Sequence, residues 1–154
     1  MTDDSDRILV LTRVFQAPRT RVFEAWTRPD LVAAWWGPEG FVTEHCEMDI
    51  RPGGSYRLSM RSPEGVLHRK RGIYQEIAAP ERIVFTFAWE DVTGVPGHQT
   101  IITVTLEDMG AATRLTLRQA VFETIDWCES HKLGWTSCLE RFASWLTTIP
   151  SGAA

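Results

Sequence analysis

Apolar and polar positions follow two rhythms along this chain, and the switch between them divides it into elements. From Thr124 to Ile149 (TIDWCESHKLGWTSCLERFASWLTTI) the rhythm is helical. Trp127, Cys128, His131, Trp135, Cys138, Leu139, Phe142, Trp145, Leu146 and Ile149 share one broad stripe, with Asp126, Glu129, Ser137, Glu140, Ser144 and Thr148 opposite. The pattern predicts one long helix of about 39 Å whose apolar face some core must receive. Two residues interrupt it. Gly134 weakens the helix interior by roughly 1 kcal/mol relative to Ala, and His131 sets a titratable ring on the apolar face one turn before Trp135. Leu133 is the reverse anomaly, an apolar residue on the polar side; it reads either as an isolated surface residue or as part of a homodimer contact.

Before the helix the rhythm is mostly of period two. Arg7 to Phe15 reads as a first strand that stops at Ala17-Pro18, where Pro18 suits a first helical turn. Val22, Phe23 and Trp26, then Leu31 to Trp36, predict two short helices separated at Pro29 and ended by Gly37-Pro38. After Gly40 the punctuation is that of hairpins: Arg51-Pro52-Gly53-Gly54, Ser62-Pro63-Glu64-Gly65, Ala79-Pro80-Glu81, Val92 to Gly97, and Glu107 to Gly110. Six strands lie between these marks. Tyr56/Leu58/Met60, Ile83/Phe85/Phe87/Trp89, Ile102/Val104/Leu106 and Leu115/Leu117 alternate with polar partners, so one sheet face is wet and the other needs a cover.

Two strands resist this reading. In the fourth, Val66 to Ala78, neither the His68/Lys70/Gly72/Tyr74/Glu76 face nor the Arg69/Arg71/Ile73/Gln75/Ile77 face is apolar, and a one-residue slip exchanges them. In the second, Phe41 to Ile50, Cys46, Met48 and Ile50 are expected inward. Arg13 falls on the same face as Leu9, Leu11 and Phe15; if buried it requires a carboxylate, with Asp49 or Glu47 expected, and otherwise it lies at an edge open to water. The order is β, α, α, six β, α. The fold class is therefore α+β, with a seven-stranded antiparallel sheet covered by the closing helix, the one element long and apolar enough to do so.

With 154 residues, 44% of them hydrophobic, the chain suits one domain, expected over residues 7–149, between a loose acidic tail at 1–6 and a flexible tail at 150–154. Sixteen Lys and Arg against 20 Asp and Glu give a formal charge of -4, which argues against nucleic-acid binding. Cys46, Cys128 and Cys138 are odd in number, and the last two are too far apart on one helix to be bridged. With no secretory signal and no apolar run near the ~20 residues of a membrane helix, a reduced, cytoplasmic setting is expected.

Seven Trp and seven Phe leave large rings on the sheet's inner face, as aromatic-walled sites for small apolar ligands require. Phe85, Phe87, Trp89 and Trp135 are core or pocket wall, and the pattern leaves both open. His131 is a buried hydrogen-bonded ring, a ligand contact or a general base. His68, Tyr56 and Tyr74 are secondary polar candidates. Trp36, Phe41, Met48, Met60 and Cys138 complete the candidate ligand-binding set. Cys128 and His131, three residues apart, resemble half a metal site, but no second pair follows, so no metal is expected. Gly53-Gly54 reads as a hairpin turn, and no phosphate or dinucleotide loop is seen, so no cofactor is expected either.

The order of Thr12-Arg13-Val14-Phe15 with Ala17-Pro18, Val22-Phe23 with Ala25-Trp26, and Leu31 with Trp35-Trp36-Gly37-Pro38 is specific. Met48-Asp49-Ile50-Arg51-Pro52-Gly53-Gly54, Pro80-Glu81-Arg82-Ile83-Val84-Phe85-Thr86, and His131 with Gly134-Trp135 and Leu139 continue it. In these residues the chain resembles the activators of heat-shock-protein-90 ATPase, in their small single-domain bacterial form, within the START-like (SRPBCC) superfamily. The resemblance covers about Ile8 to Leu146. It implies a helix-grip fold, a curved sheet wrapped around the long C-terminal helix with a cavity between them. It also implies either ligand binding, partnership with a chaperone in the stress response, or cofactor-independent cyclase or hydrolase chemistry. The namesake activators carry a separate domain ahead of this one, whereas only Met1 to Asp6 precedes the first strand here. The first expectation is thus a binding protein, not an enzyme, for a small aromatic or lipid-like molecule. A chaperone ATPase regulator, and an enzyme using His131 or Tyr74 as acid or base, are the alternatives.

Overall fold

The hairpin punctuation generates the sheet. In the computed structural model, which describes residues 4–148, β2 (Val42–Met48), β3 (Ser55–Arg61), β4 (Leu67–Ala78), β5 (Arg82–Trp89), β6 (Thr100–Met109) and β7 (Ala112–Ala120) follow one another as antiparallel neighbours. β1 (Leu9–Phe15) pairs with β7, so the sheet order is β1-β7-β6-β5-β4-β3-β2. The chain therefore crosses from one edge to the other between β1 and β2. It does so through α1 (Arg19–Thr27) and α2 (Pro29–Trp35), which begin just after Pro18 and at Pro29 as their proline signals predict. α3 (Ile125–Thr148) closes the structure, with the Thr124 hydroxyl accepting the Trp127 N–H at its start. Ile149 and residues 150–154, in the expected flexible tail, lie outside the described residues, as do residues 1–3. Within the acidic segment expected to be loose, Asp4–Arg7 form one 3-10 turn.

Alternation sends Tyr56, Leu58 and Met60, Ile83, Phe85 and Phe87, Ile102, Val104 and Leu106, and Leu115 and Leu117 to the inner face, where all are buried. α3 supplies Cys128, Trp135, Cys138, Leu139, Phe142 and Leu146 against them. Its backbone lies closest to β1 among the strands and close to α2. The helix thus behaves as a wedge, tight at the β1 edge, where Phe15 meets Phe142 edge-on at 5.0 Å, and spanned farther out by indole and phenyl rings. Trp127, expected in the apolar stripe, is 51% exposed.

Two sequence readings are decided by register and a third by topology. In β2, Cys46, Met48 and the following Ile50 do pack on the core. In β4, His68, Lys70, Gly72 and Tyr74 point inward, opposite Met60, Leu58, Tyr56 and, across β5, Phe85. A bulge between Tyr74 and Glu76 then exchanges the faces, bringing Ile77 onto the core; no single face of this strand could look apolar from end to end. Gly72 is required here: a Cβ would lie 1.8 Å from the Thr86 carbonyl oxygen and 2.6 Å from the Tyr56 ring, whose hydroxyl crosses above it to donate to that same oxygen.

The third concerns Arg13. It shares the inner side of edge strand β1, but its partner is Glu140 of α3 at 2.5 Å, not Asp49 or Glu47. Asp49 binds Arg51, and Glu47 binds His45. The correction follows from topology: β1 and β2 are opposite edges of the sheet, whereas α3 runs beside β1.

Candidate functional site

Between the outer part of the sheet and α3 lies a cavity of about 430 Å³, within the range of small-molecule sites. Its floor is the inner face of β3, β4 and β5 near Met60, His68, Lys70, Phe87 and Trp89. Its roof is α3 at Trp127, His131, Gly134, Trp135 and Cys138, and the Trp36 to Phe41 loop closes one side. Arg141 holds that loop: its Nη1 donates to the Phe41 carbonyl at 2.7 Å and more weakly to those of Trp36 and Pro38. Ser137 accepts the Glu39 N–H at 3.0 Å. Gly134 faces the same loop with 4.0 Å between its absent Cβ and the nearest Pro38 carbon. Its lack of a side chain leaves space in the cavity and is not demanded by backbone contact.

Of the candidate residues, Trp36, Phe41, Met60, His68, Phe87, Trp89, His131, Trp135 and Cys138 come together in this wall. Tyr56, Tyr74, Phe85 and Met48 do not line it. Tyr56, Tyr74 and Phe85 pack on one another at 5.4–5.9 Å further along the same strands, and Met48 contacts the Cys46 thiol on β2. They occupy the correct face at the wrong height: the inner surface is cavity towards Met60 and Trp89 and solid core towards Tyr56 and Phe85.

The His131 nitrogens and the Trp135 indole N–H in the roof are committed. His131 Nδ1 lies 2.8 Å from the Trp127 carbonyl, and its Nε2 accepts the Trp89 indole N–H at 2.8 Å. These partners require a neutral ring protonated at Nδ1. Burial, and secondarily the nearby Lys70 charge, lower its pKa despite the raising effect of the Trp127 carbonyl. The bridge also separates the main cavity from an adjoining one of about 180 Å³, whose wall shares Phe87, Trp89, Trp127 and His131. Trp135 is fixed similarly: its indole N–H donates to Gln119 Oε1 at 2.8 Å, and fully buried Gln119 donates onward to Thr100.

Lys70 is the functional candidate absent from the sequence-derived set. Only 3% exposed, it directs Nζ at the faces of Trp36 (4.2 Å), Trp89 (5.3 Å) and Phe87 (5.5 Å). Burial lowers its pKa from 10.5 to about 7. Cys46 and Cys138 are its ionisable neighbours, and burial pushes both thiols up to about 11. Glu90 on the same wall is taken by Arg57 in two hydrogen bonds of 2.6 and 2.9 Å, which hold its carboxyl below the usual range. The signal in the sequence was the polar pair His68 and Lys70 on one face of β4, next to strands whose matching faces are apolar. Among the described residues no three His, Cys, Asp or Glu side chains converge as a metal would need, and no helix is long and apolar enough to cross a membrane.

A curved antiparallel sheet gripping a long C-terminal helix, with a cavity between them, places the protein in the helix-grip class. The chain belongs to the family described as Activator of Hsp90 ATPase homolog 1-like protein, whose model matches residues 16–147. It is similar to a protein from Chromobacterium violaceum: 31% identity, TM-score 0.80, with 90% of this chain and 96% of that one covered. It is also similar to the AHSA1 protein from Silicibacter pomeroyi, at 25% identity and TM-score 0.83 over 92% of this chain and 98% of that one. A protein from Arthrobacter aurescens, 24% identical, shares the fold at TM-score 0.85 over 100% of this chain and 93% of that one. A comparison with curated proteins finds no match.

Proposed function

We propose that this protein binds a small, largely apolar ligand, aromatic or lipid-like, between the sheet and α3. The observation that carries the reading is the 430 Å³ cavity walled by Trp36, Phe87, Trp89 and Trp135, whose rings are held by hydrogen bonds and packing before any ligand arrives. A wall fixed in advance loses little side-chain entropy on binding. Acid–base chemistry has weaker support: the His131 lone pair is used by Trp89, and Tyr74 packs away from the cavity. Native mass spectrometry of freshly purified protein, with a thermal-shift panel of aromatic and aliphatic probes, tests the proposal. A retained small molecule, or a probe that raises the melting temperature by mass action, is the expected result. A ligand-free mass together with no shift across the panel rejects it.

The family match supports a second reading, regulation of a chaperone ATPase. Its measurement is the ATPase rate of the cognate Hsp90 with this protein at saturation; an unchanged rate removes it.

A further inference from the structure

Lys70 sits in the cavity wall with its ammonium set against aromatic rings. Its inward position is imposed by the β4 register, opposite Leu58 on β3 and Trp89 on β5, so the side chain is directed into the cavity and not to the outer face of the sheet. Among the described residues no carboxylate or hydrogen-bond acceptor pairs with it. The rings of Trp36, Phe87 and Trp89 attract a cation, yet they offer no full acceptor to its N–H donors. Burying an ammonium group unpaired is costly, and an apolar side chain would fill this wall without that cost. Among the described residues, the carboxylate that lines the cavity, Glu90, is already paired with Arg57.

Resting on the proposed apolar site, we propose that Lys70 anchors the ligand's anionic head, so that the cavity selects aryl or alkyl carboxylates over neutral molecules of the same shape. The apolar body lies against Trp36, Phe87, Trp89 and Trp135, and the carboxylate supplies the missing partner of Nζ. A monoanion matches a single ammonium.

Besides Lys70, the titratable groups of this wall are Cys46, Cys138, His131, Glu90 and His68, and the Lys70→Met variant separates the lysine's part from that of His68. Cys46 on β2 and Cys138 on α3 stay neutral thiols near pH 7, since burial raises both. His131 on α3 is neutral with both nitrogens engaged. Glu90 beyond β5 belongs to Arg57. Burial leaves Lys70 of the empty cavity half-protonated near pH 7, and a bound carboxylate raises it again. Carboxylate binding therefore takes up a proton above pH 7, and affinity falls about tenfold per pH unit there.

Isothermal calorimetry of the full chain with 2-naphthoate and with its neutral amide, 2-naphthamide, at pH 6.5 and 8.5 tests this. The expected result is about tenfold or greater preference for naphthoate at pH 6.5, shrinking by about tenfold or more at pH 8.5. Lys70→Met abolishes the preference while still binding the amide. Equal affinity of the two probes for the unmodified protein, or a preference that survives Lys70→Met, overturns the anchor and leaves the apolar site standing. If neither probe binds the unmodified protein, the site itself is refuted with it. The pH comparison on the unmodified chain decides the matter even if the variant misfolds.

Discussion

Replacing Lys70 with Met removes a buried ammonium, and its consequence can be worked through linkage. In the unfolded chain the amine titrates at 10.5; in the folded protein burial brings it to about 7. Between those values the unfolded state holds more protons than the folded one, so stability rises with pH across that window and is flat below it. The full span is worth about 5 kcal/mol at roughly 1.4 kcal/mol per pH unit, of which about 1.5 kcal/mol falls between pH 7 and 8.5. The Met variant lacks this dependence. In urea denaturation it should exceed the unmodified protein by roughly 4 kcal/mol at pH 7, the limit in which Met fills the same volume. That advantage narrows by about 1.5 kcal/mol at pH 8.5. A stability difference that stays constant from pH 7 to pH 9, or a variant less stable at pH 7, refutes the account of an unpaired cation in the wall.

Other perturbations test neighbouring parts of the structure. Gly134→Ala should stabilise by about 1 kcal/mol, because the new methyl meets nothing nearer than Pro38 at 4.0 Å; Gly134→Phe should fill the cavity and abolish probe binding with the fold retained by circular dichroism. His131→Phe leaves the Trp89 indole N–H without its acceptor and should cost about 1–3 kcal/mol in denaturant. Gly72→Ala forces a Cβ against the Thr86 carbonyl and the Tyr56 ring and should cost about 3 kcal/mol, seen as a lower urea midpoint at unchanged slope.

Most of the fold could be read from periodicity because five of its strands and its long helix each present one dominant face, with β2 less clear because its register shifts between Thr43 and His45. β4 could not, and the reason is physical. Its inner face is shared between cavity and core, so it carries His68 and Lys70 at one end and Tyr74 at the other, and the bulge after Tyr74 then moves Ile77 inward. The same division explains the site. Alternation identifies which face a residue occupies but not how far along the strand the helix begins to stand away. Phe87 and Phe85 are therefore indistinguishable in sequence, although one lines the cavity and the other packs on Tyr56. Arg13 depended on topology instead, since its partner Glu140 follows only once β1 is known to pair with β7 beside α3.

The central claim, an apolar site under α3, is tested most directly by the indole N–H resonances of the protein during titration with neutral 2-naphthamide. Trp36, Trp89 and Trp135 line the cavity, whereas Trp145 stacks on Phe142 outside it. Saturable movement of the first three signals with Trp145 unmoved is the result the account predicts. Stationary signals at Trp36, Trp89 and Trp135 up to the solubility limit of the probe, or movement confined to Trp145, would contradict it.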